Sequence, residues 1–243
     1  MQTSNTYSIS RLDWDSKFFN IESAKITLLE EISENDFEYI SNKIKDSNFK
    51  FVTIQNINNN EKNNYMIRKF NNIFLADVNV QFIKKTENCL IKNNPIKDIA
   101  IKNFMKYNEN IINISKESFI YSRFFNDYNL RKGNLIYTEW TKNAFDRKDK
   151  YFCYYEKENQ ILGYLLFSIN NQELTIELIA VDKNSKGLGI GSSLINKVEQ
   201  YAITNKIKYI KVGTQINNIS AQNFYISCGF KHITNNSIYH LWL

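Results

Sequence analysis

Three glycines at alternate positions carry the clearest chemical potential in this chain. The apolar run Thr175-Ile-Glu-Leu-Ile-Ala-Val181 stops and is followed by Asp182-Lys-Asn-Ser-Lys-Gly-Leu-Gly-Ile-Gly-Ser-Ser-Leu194. That pattern predicts a strand, a short polar turn and the head of an amphipathic helix. Glycine has no Cβ, so Gly187, Gly189 and Gly191 let neighbouring backbone N–H groups converge while the helix adds its positive end. The fitting guest is a phosphate.

Spacing decides among the folds that use such a turn. A dinucleotide fingerprint needs G-x-G-x-x-G, and Gly191 arrives one residue early. A P-loop needs Gly-Lys-Ser/Thr, whereas Gly191 is followed by Ser192 and Ser193. Lys186-Gly-Leu-Gly-Ile-Gly191 instead resembles the pyrophosphate loop of the GCN5-related N-acetyltransferases (GNAT), Q/R-x-x-G-x-G/A, with Val181 on the preceding strand. Lys186 departs from that pattern, because an ammonium meets a phosphate as a point charge and not as a planar fork. A second segment, Asn218-Ile-Ser-Ala-Gln-Asn-Phe-Tyr225-Ile-Ser-Cys-Gly-Phe230, is similar to the family's N-x-x-A-x-x-F/L-Y-x-x-x-G-F signature at every fixed position.

What this resemblance implies is an acyl-CoA-dependent N-acyltransferase, with acyl-CoA as co-substrate and no metal. The backbone of Ile179, Ala180 and Val181 would pair with the pantetheine amides. Lys186, Gly187, Leu188, Gly189, Ile190, Gly191 and Ser192 would cradle the pyrophosphate. Tyr225 would stand beside the CoA sulfur as general acid, since a phenol is protonated at neutral pH. Asn218 suits either a helix cap or a bond to the CoA arm. For the base, Glu177 shares a strand face with Ile179, while Glu173, Asp127, His240 and a water chain stay open.

Other segments carry a narrower resemblance. Trp14-Asp15-Ser16-Lys-Phe18-Phe19 is similar to the W-D-S-x-F-F signature of acyltransferases of the dTDP-fucosamine acetyltransferase type. Tyr121-Ser-Arg123-Phe-Phe-Asn-Asp127 and Tyr137-x-x-Trp140 are similar to their S-R-F-x-x-D and Y-x-x-W segments. The resemblance implies transfer of an acetyl or short acyl group, such as 3-hydroxybutyryl, to the amine of a dTDP-linked 3- or 4-amino-dideoxyhexose in surface polysaccharide synthesis. Trp14, Asp15, Ser16, Phe19, Arg123 and Asp127 would line the sugar-nucleotide side, in an inter-domain cleft, with Arg123 on the diphosphate. Trp14, Phe18 and Phe19 equally suit core packing, and Arg123 with Asp127 an ion pair four apart on a helix. Two other readings stand beside this one: acetylation of a protein, peptide or other small amine, and a non-catalytic CoA-binding module. Relatives often pair through a sheet edge, which leaves a homodimer open.

The elements that must position these residues follow from periodicity. Strands are expected at 21–29, 49–55 and 75–84 and helices at about 33–46 and 62–70, with Ser33 as a cap. This makes residues 1–98 a small N-terminal α/β domain, closed by a polar segment with the only proline, Pro95. The resemblance implies that residues 99–243 form the acyl-CoA-binding domain. There helices are expected at 99–115 and 137–145, strands at 151–156, 161–169 and 174–181, a helix at 190–205, a strand at 208–214, a helix at 220–228 and a last strand up to Trp242. These elements predict an α/β fold class, a mixed sheet with helices on both faces, and the resemblance implies that it is a GNAT fold with an additional small N-terminal α/β domain.

Composition bounds the rest. With 243 residues, 43% hydrophobic and 14% aromatic, a sizeable core is available. The net charge of +6 is dispersed, which argues against a nucleic-acid partner and suits steering of anionic ligands. Cys89, Cys153 and Cys228 are too scattered for a disulfide framework or a zinc site. The N-terminus has no basic start followed by an apolar core, and the run 161–169 is too short for a bilayer, so no membrane association and a cytoplasmic location are expected.

Overall fold

The computed structural model describes residues 2–89, 96–119, 122–125 and 127–243. In chain order the first elements are β1 (Gln2–Thr3), β2 (Tyr7–Arg11), α1 (Asp13–Phe19), β3 (Ser23–Leu28), α2 (Glu34–Lys45) and β4 (Phe51–Asn56). Then come α3 (Glu61–Ile67), β5 (Ile73–Lys85), β6 (Ile99–Asn103), α4 (Glu109–Ser118), α5 (Ile136–Ala144) and β7 (Lys150–Lys157). The chain continues through β8 (Gln160–Asn170), β9 (Glu173–Val181), α6 (Ile190–Thr204), β10 (Tyr209–Gln215), α7 (Ile219–Ser227) and β11 (Lys231–Trp242). Pro95 and Tyr121 lie outside the described residues.

Two compact units divide the chain. The first takes Met1–Val80, Asn126–Lys132 and Thr234–Leu243; the second takes Gln81–Phe125 and Gly133–Ile233. The first unit is therefore discontinuous in sequence, unlike the single block 1–98 expected above. Each unit draws residues from both β5 and β11.

In the first unit the strand order runs β1-β2-β3-β4-β11-β5. β3 and β4 are parallel, while β1, β2 and β11 run antiparallel to their partners. Its core packs Ile26, Leu28, Val52 and Ile54 of the sheet against Ile40 and Ile44 of α2 and Met66 and Ile67 of α3. Helix α2 starts where the sequence asks it to. Ser33 Oγ accepts from the Asp36 amide at 3.1 Å, and Asp36 Oδ2 accepts from the Ser33 amide at 2.9 Å, a reciprocal capping box. α1 was not foreseen as an element. Its Trp14 and Phe18 rings stack at 5.1 Å, one helical turn apart.

In the second unit the order is β6-β7-β8-β9-β10-β5, with β9 and β10 parallel and β6 to β9 antiparallel. Alternation along the strands sends Phe152, Tyr154, Tyr164, Leu166, Leu178 and Ala180 to one face, where they pack with Ile111, Ile112 and Ala144 of α4 and α5. The other face carries Tyr151 and Phe167, whose rings lie 5.9 and 5.6 Å from Tyr201 of α6. The mixed sheet with helices on both faces is as expected.

One expected helix, 99–115, is wrong at its start. Ile99–Asn103 is the edge strand β6, with Ile99 opposite Tyr155 and Ile101 opposite Cys153. Phe104 is left-handed at φ 56°, which no helix interior adopts. The helix begins only after Asn108, whose side chain accepts from the Ile111 amide at 3.1 Å.

Because Ser33 and Asp36 satisfy two otherwise orphaned donors, Ser33→Ala is expected to lower folding stability by about 1 kcal/mol, read as an earlier midpoint in urea unfolding.

Candidate functional site

The second unit builds its site where two parallel strands stop pairing. The β9–β10 ladder runs from Glu173 opposite Tyr209 to Ile176 opposite Val212, although β9 continues to Val181 and β10 to Gln215. Beyond Ile176 the described pairing of β9 is with β8 alone, up to Val181 opposite Gly163. Among the described residues, one edge of residues 177–181 is thus left with main-chain donors and acceptors to offer, the physical requirement for strand-like capture of an amide-bearing ligand.

A bulge marks the point of departure. Leu166 faces Leu178 and Phe167 faces Ile176, so Glu177 is the extra residue. Its carboxylate is held from both sides: Lys150 Nζ bonds Oε1, and the Trp140 indole N–H donates to Oε2 at 3.2 Å. Its side chain is only 9% exposed, so both oxygens are committed within the fold. Trp140 itself is 41% exposed and stacks with Tyr137, centroids 6.3 Å apart and planes at 19°. The Tyr137 hydroxyl accepts from Gln215 Nε2 at 2.9 Å. The Y-x-x-W segment thereby joins Glu177 and the free end of β10 in one polar and aromatic surface. Sequence reasoning left Lys150 and Gln215 out, because neither belongs to a motif and only the bulge and the end of the ladder make them neighbours.

After Val181 the turn is set by Asp182, whose Oδ1 accepts from the Asn184 amide at 2.9 Å. Gly187 and Gly189 then adopt φ of 79° and 77°, where any other residue is strained. A Cβ on Gly187 would meet nothing within 4 Å, so the loop is open on that side. Gly189 is the N-cap of α6, and among the described residues no side chain caps that helix. The amides of its first turn, at Ile190, Gly191 and Ser192, have no intrahelical acceptor by geometry. Lys186 and Leu188 are exposed. Gly163, absent from the sequence reading, allows the approach of α6, since a Cβ there would lie 2.7 Å from Ile190 Cγ2. The residues present fit an acyl-CoA: a glycine cradle at a helix head for its pyrophosphate and an unpaired strand edge for its amide arm.

Helix α7 places Tyr225. Asn218 caps it, its side-chain oxygen accepting from the Ala221 amide at 3.1 Å, which is one of the two roles left open above. Phe224 packs on α6, its ring 3.3 Å from where a Cβ of Gly191 would stand. Tyr225 is buried among Phe82, Phe224 and Phe230, at centroid distances of 5.8, 5.5 and 5.9 Å. Burial, and after it the neighbouring Cys228, pushes its phenol well above the ordinary value of 10.0. It holds its proton throughout the neutral range.

The remaining sequence-predicted residues divide between the units. In the second, Arg123 lies over the Phe124 ring at 4.2 Å, in a turn and not on a helix. In the first, Ser16 is buried and its hydroxyl accepts from the Ser23 amide at 2.9 Å, tying α1 to β3. Asp127 is buried too, with Oδ2 accepting from His240 Nδ1 at 2.7 Å and from the Trp242 indole at 3.1 Å. A carboxylate only accepts, so His240 Nδ1 is the protonated nitrogen. Trp14 and Asp15 are half-buried on α1, where Phe19 meets Phe18 edge-on at 4.9 Å. Among the described residues no group of acidic, histidine or cysteine side chains could hold a metal ion, and no helix is long and apolar enough to cross a membrane.

A fold of this kind is shared with solved GCN5-related N-acetyltransferases. The sequence model described as the Acetyltransferase (GNAT) family matches residues 109–230, half of the chain, and the chain belongs to that family. Among curated relatives, the Bacillus subtilis spore coat polysaccharide biosynthesis protein SpsD is 28% identical over 136 residues, 55% of this chain and 47% of SpsD. The Escherichia coli streptothricin acetyltransferase is 34% identical over 74 residues, 30% of this chain and 42% of that protein. The matched segments thus span about half or less of these relatives' own lengths. A conserved Staphylococcus epidermidis protein of unknown function superposes over 100% of this chain and 93% of its own, with a TM-score of 0.67 at 12% identity. A GCN5-related N-acetyltransferase from Sphaerobacter thermophilus superposes over 98% of this chain and 76% of its own, at 0.59 and 11%.

The Asp127 cluster has a pH consequence. Burial alone would raise its carboxyl, but the bonds from His240, the Asn129 amide and Trp242 outweigh that and hold it below the ordinary 3.8. A depressed folded value means stability that is present above 3.8 and lost as pH falls through the folded value. Asp127→Asn is expected to lower the urea midpoint at neutral pH and to flatten its decline between about pH 5 and 2.

Proposed function

We propose that this enzyme acylates the amine of a dTDP-linked 3- or 4-amino-dideoxyhexose, using acetyl-CoA or a short-chain acyl-CoA, in the making of a surface polysaccharide. The observation that carries the transfer chemistry is the open glycine cradle at the head of α6 beside the unpaired edge of β9. The sugar-nucleotide side rests on the W-D-S-x-F-F, S-R-F-x-x-D and Y-x-x-W segments and on the similarity to a protein named for spore coat polysaccharide biosynthesis.

Acyl-CoA supplies the activated thioester. Gly187 to Ser192 hold its pyrophosphate through main-chain amides, with Lys186 adding charge, and Ile179 to Val181 align its arm by strand pairing. Alignment of this sort removes most of the entropic part of the barrier. Tyr225, buried and protonated, gives its proton to the departing sulfur. Glu177, its oxygens already bonded to Lys150 and Trp140, is assigned to the amine side as the group toward which the amine's proton moves through water. The exposed Trp140 and its stacked neighbour Tyr137 offer an apolar face to a deoxyhexose ring. Trp14, Asp15, Phe19 and Arg123 remain assigned to the sugar-nucleotide side. Ser16 and Asp127 would support that side from within the fold.

Tyr225→Phe is expected to lower kcat by about 10²-fold or more while leaving the KM for acyl-CoA within a few-fold, and unchanged turnover would remove Tyr225 as the acid. For the acceptor, thermal unfolding with CoA, dTDP and UDP is the direct test, because a ligand of the native state raises Tm. Shifts with CoA and dTDP but not UDP are expected. A shift with CoA alone would return the acceptor to some other small amine, as the similarity to streptothricin acetyltransferase would then favour.

A further inference from the structure

Helices α6 and α7 carry the cradle and Tyr225, and a buried ion pair links them from beneath. Lys84 on β5 bonds Glu199 on α6, Nζ to Oε1 at 2.6 Å, and also donates to the Cys228 carbonyl at the end of α7 at 2.8 Å. The two charged side chains are 10% and 8% exposed. The ammonium lies 5.9 Å from the Phe230 ring centroid, and Phe230 meets Tyr225 edge-on at 5.9 Å. Phe82, two residues before Lys84 on the same strand face, also packs on Tyr225, ring centroids 5.8 Å apart. Gly229 adopts φ 84°, and a Cβ there would stand 3.4 Å from Lys84 Nζ. The closing Gly-Phe of the second signature thus fits the space that the ammonium and the Tyr225 ring leave.

Burying such a pair carries a large desolvation cost, and apolar residues of similar size often replace it without loss of stability. Stability alone is a poor reason for Lys84 and Glu199. Position is a better one. A cation at the C-terminus of α7 meets a carbonyl with no helical partner, and the same cation is anchored on the helix that begins at Gly189.

We propose that Lys84 and Glu199 are positioning residues for the transfer reaction, a charged strut that sets the end of α7, and with it Tyr225, against α6. The proposal rests on Tyr225 being the acid. The Cys89 thiol completes the cluster: burial first, and then the charge of Glu199, pushes it up to about 11, so it stays neutral beside the carboxylate.

The test replaces both charges at once, in Lys84→Met/Glu199→Leu, and reads Tm, acyl-CoA binding, kcat and the Tyr225 signal of 13Cζ-tyrosine-labelled protein, assigned by its loss in Tyr225→Phe. A strut predicts Tm and acyl-CoA affinity near those of the parent, a displaced Tyr225 resonance, and kcat lower by roughly 10- to 100-fold. Parent-like kcat together with an unmoved resonance would overturn it. Should the double variant not fold, Glu199→Gln, which keeps the shape and an acceptor oxygen, is read the same way with a smaller change expected. If Tyr225→Phe itself keeps full turnover, the acid assignment fails, and the resonance alone decides the strut: displaced supports it, unmoved overturns it.

Discussion

Everything at this site depends on two parallel strands that stop bonding to each other. A buried main-chain amide or carbonyl without a partner is costly, so strands that part must find other partners or meet solvent and ligand. Here β9 and β10 part after Ile176 and Val212, and the bulge at Glu177 turns β9 as they do. The strand edge is then available to a ligand's amides while the side chains of Leu178 and Ala180 remain in the core. Core and ligand draw on different atoms of the same residues, so an apolar strand serves both.

The glycine cradle solves a related problem at the next step along the chain. α6 must begin close to the end of β9, and its first-turn amides must point outward with no capping side chain upon them among the described residues. Left-handed Gly187 and Gly189 make the turn, Gly163 leaves room for Ile190, and Gly191 leaves room for Phe224. Four glycines therefore do two jobs, backbone geometry at two positions and close packing at the others. The second job is what brings the helix bearing Tyr225 against the helix bearing the cradle.

The charged groups of the second unit show how burial assigns roles. Glu177 is fixed by Lys150 and Trp140, Glu199 by Lys84 with Cys89 beside it, and Tyr225 keeps its proton because aromatic rings surround it. In the first unit the same logic makes Asp127, a motif residue, the acceptor at the centre of His240 and Trp242. A motif residue that is buried and bonded holds the segment it sits on in place, and this is how Ser16 on α1 and Asp127 behave.

The sequence by itself determined most of the strands and helices after Ser23, the cap at Ser33, the cradle glycines and the family signature around Tyr225. These are local: each depends on residues within a turn or two, where periodicity, φ preference and capping act. It misread Ile99–Asn103, because an apolar run of that length suits an edge strand as well as a helix, and pairing with β7 decided the matter. It could not separate the two roles of Asn218 or see that Lys150 and Trp140 would close on Glu177. Nor could it see that Lys84 would reach Glu199 and Cys228, residues more than a hundred positions away. Those contacts have no local signal. They exist because the sheet brings distant strands into register and the core then excludes water, and only the tertiary structure makes a charge so placed pair with one particular partner.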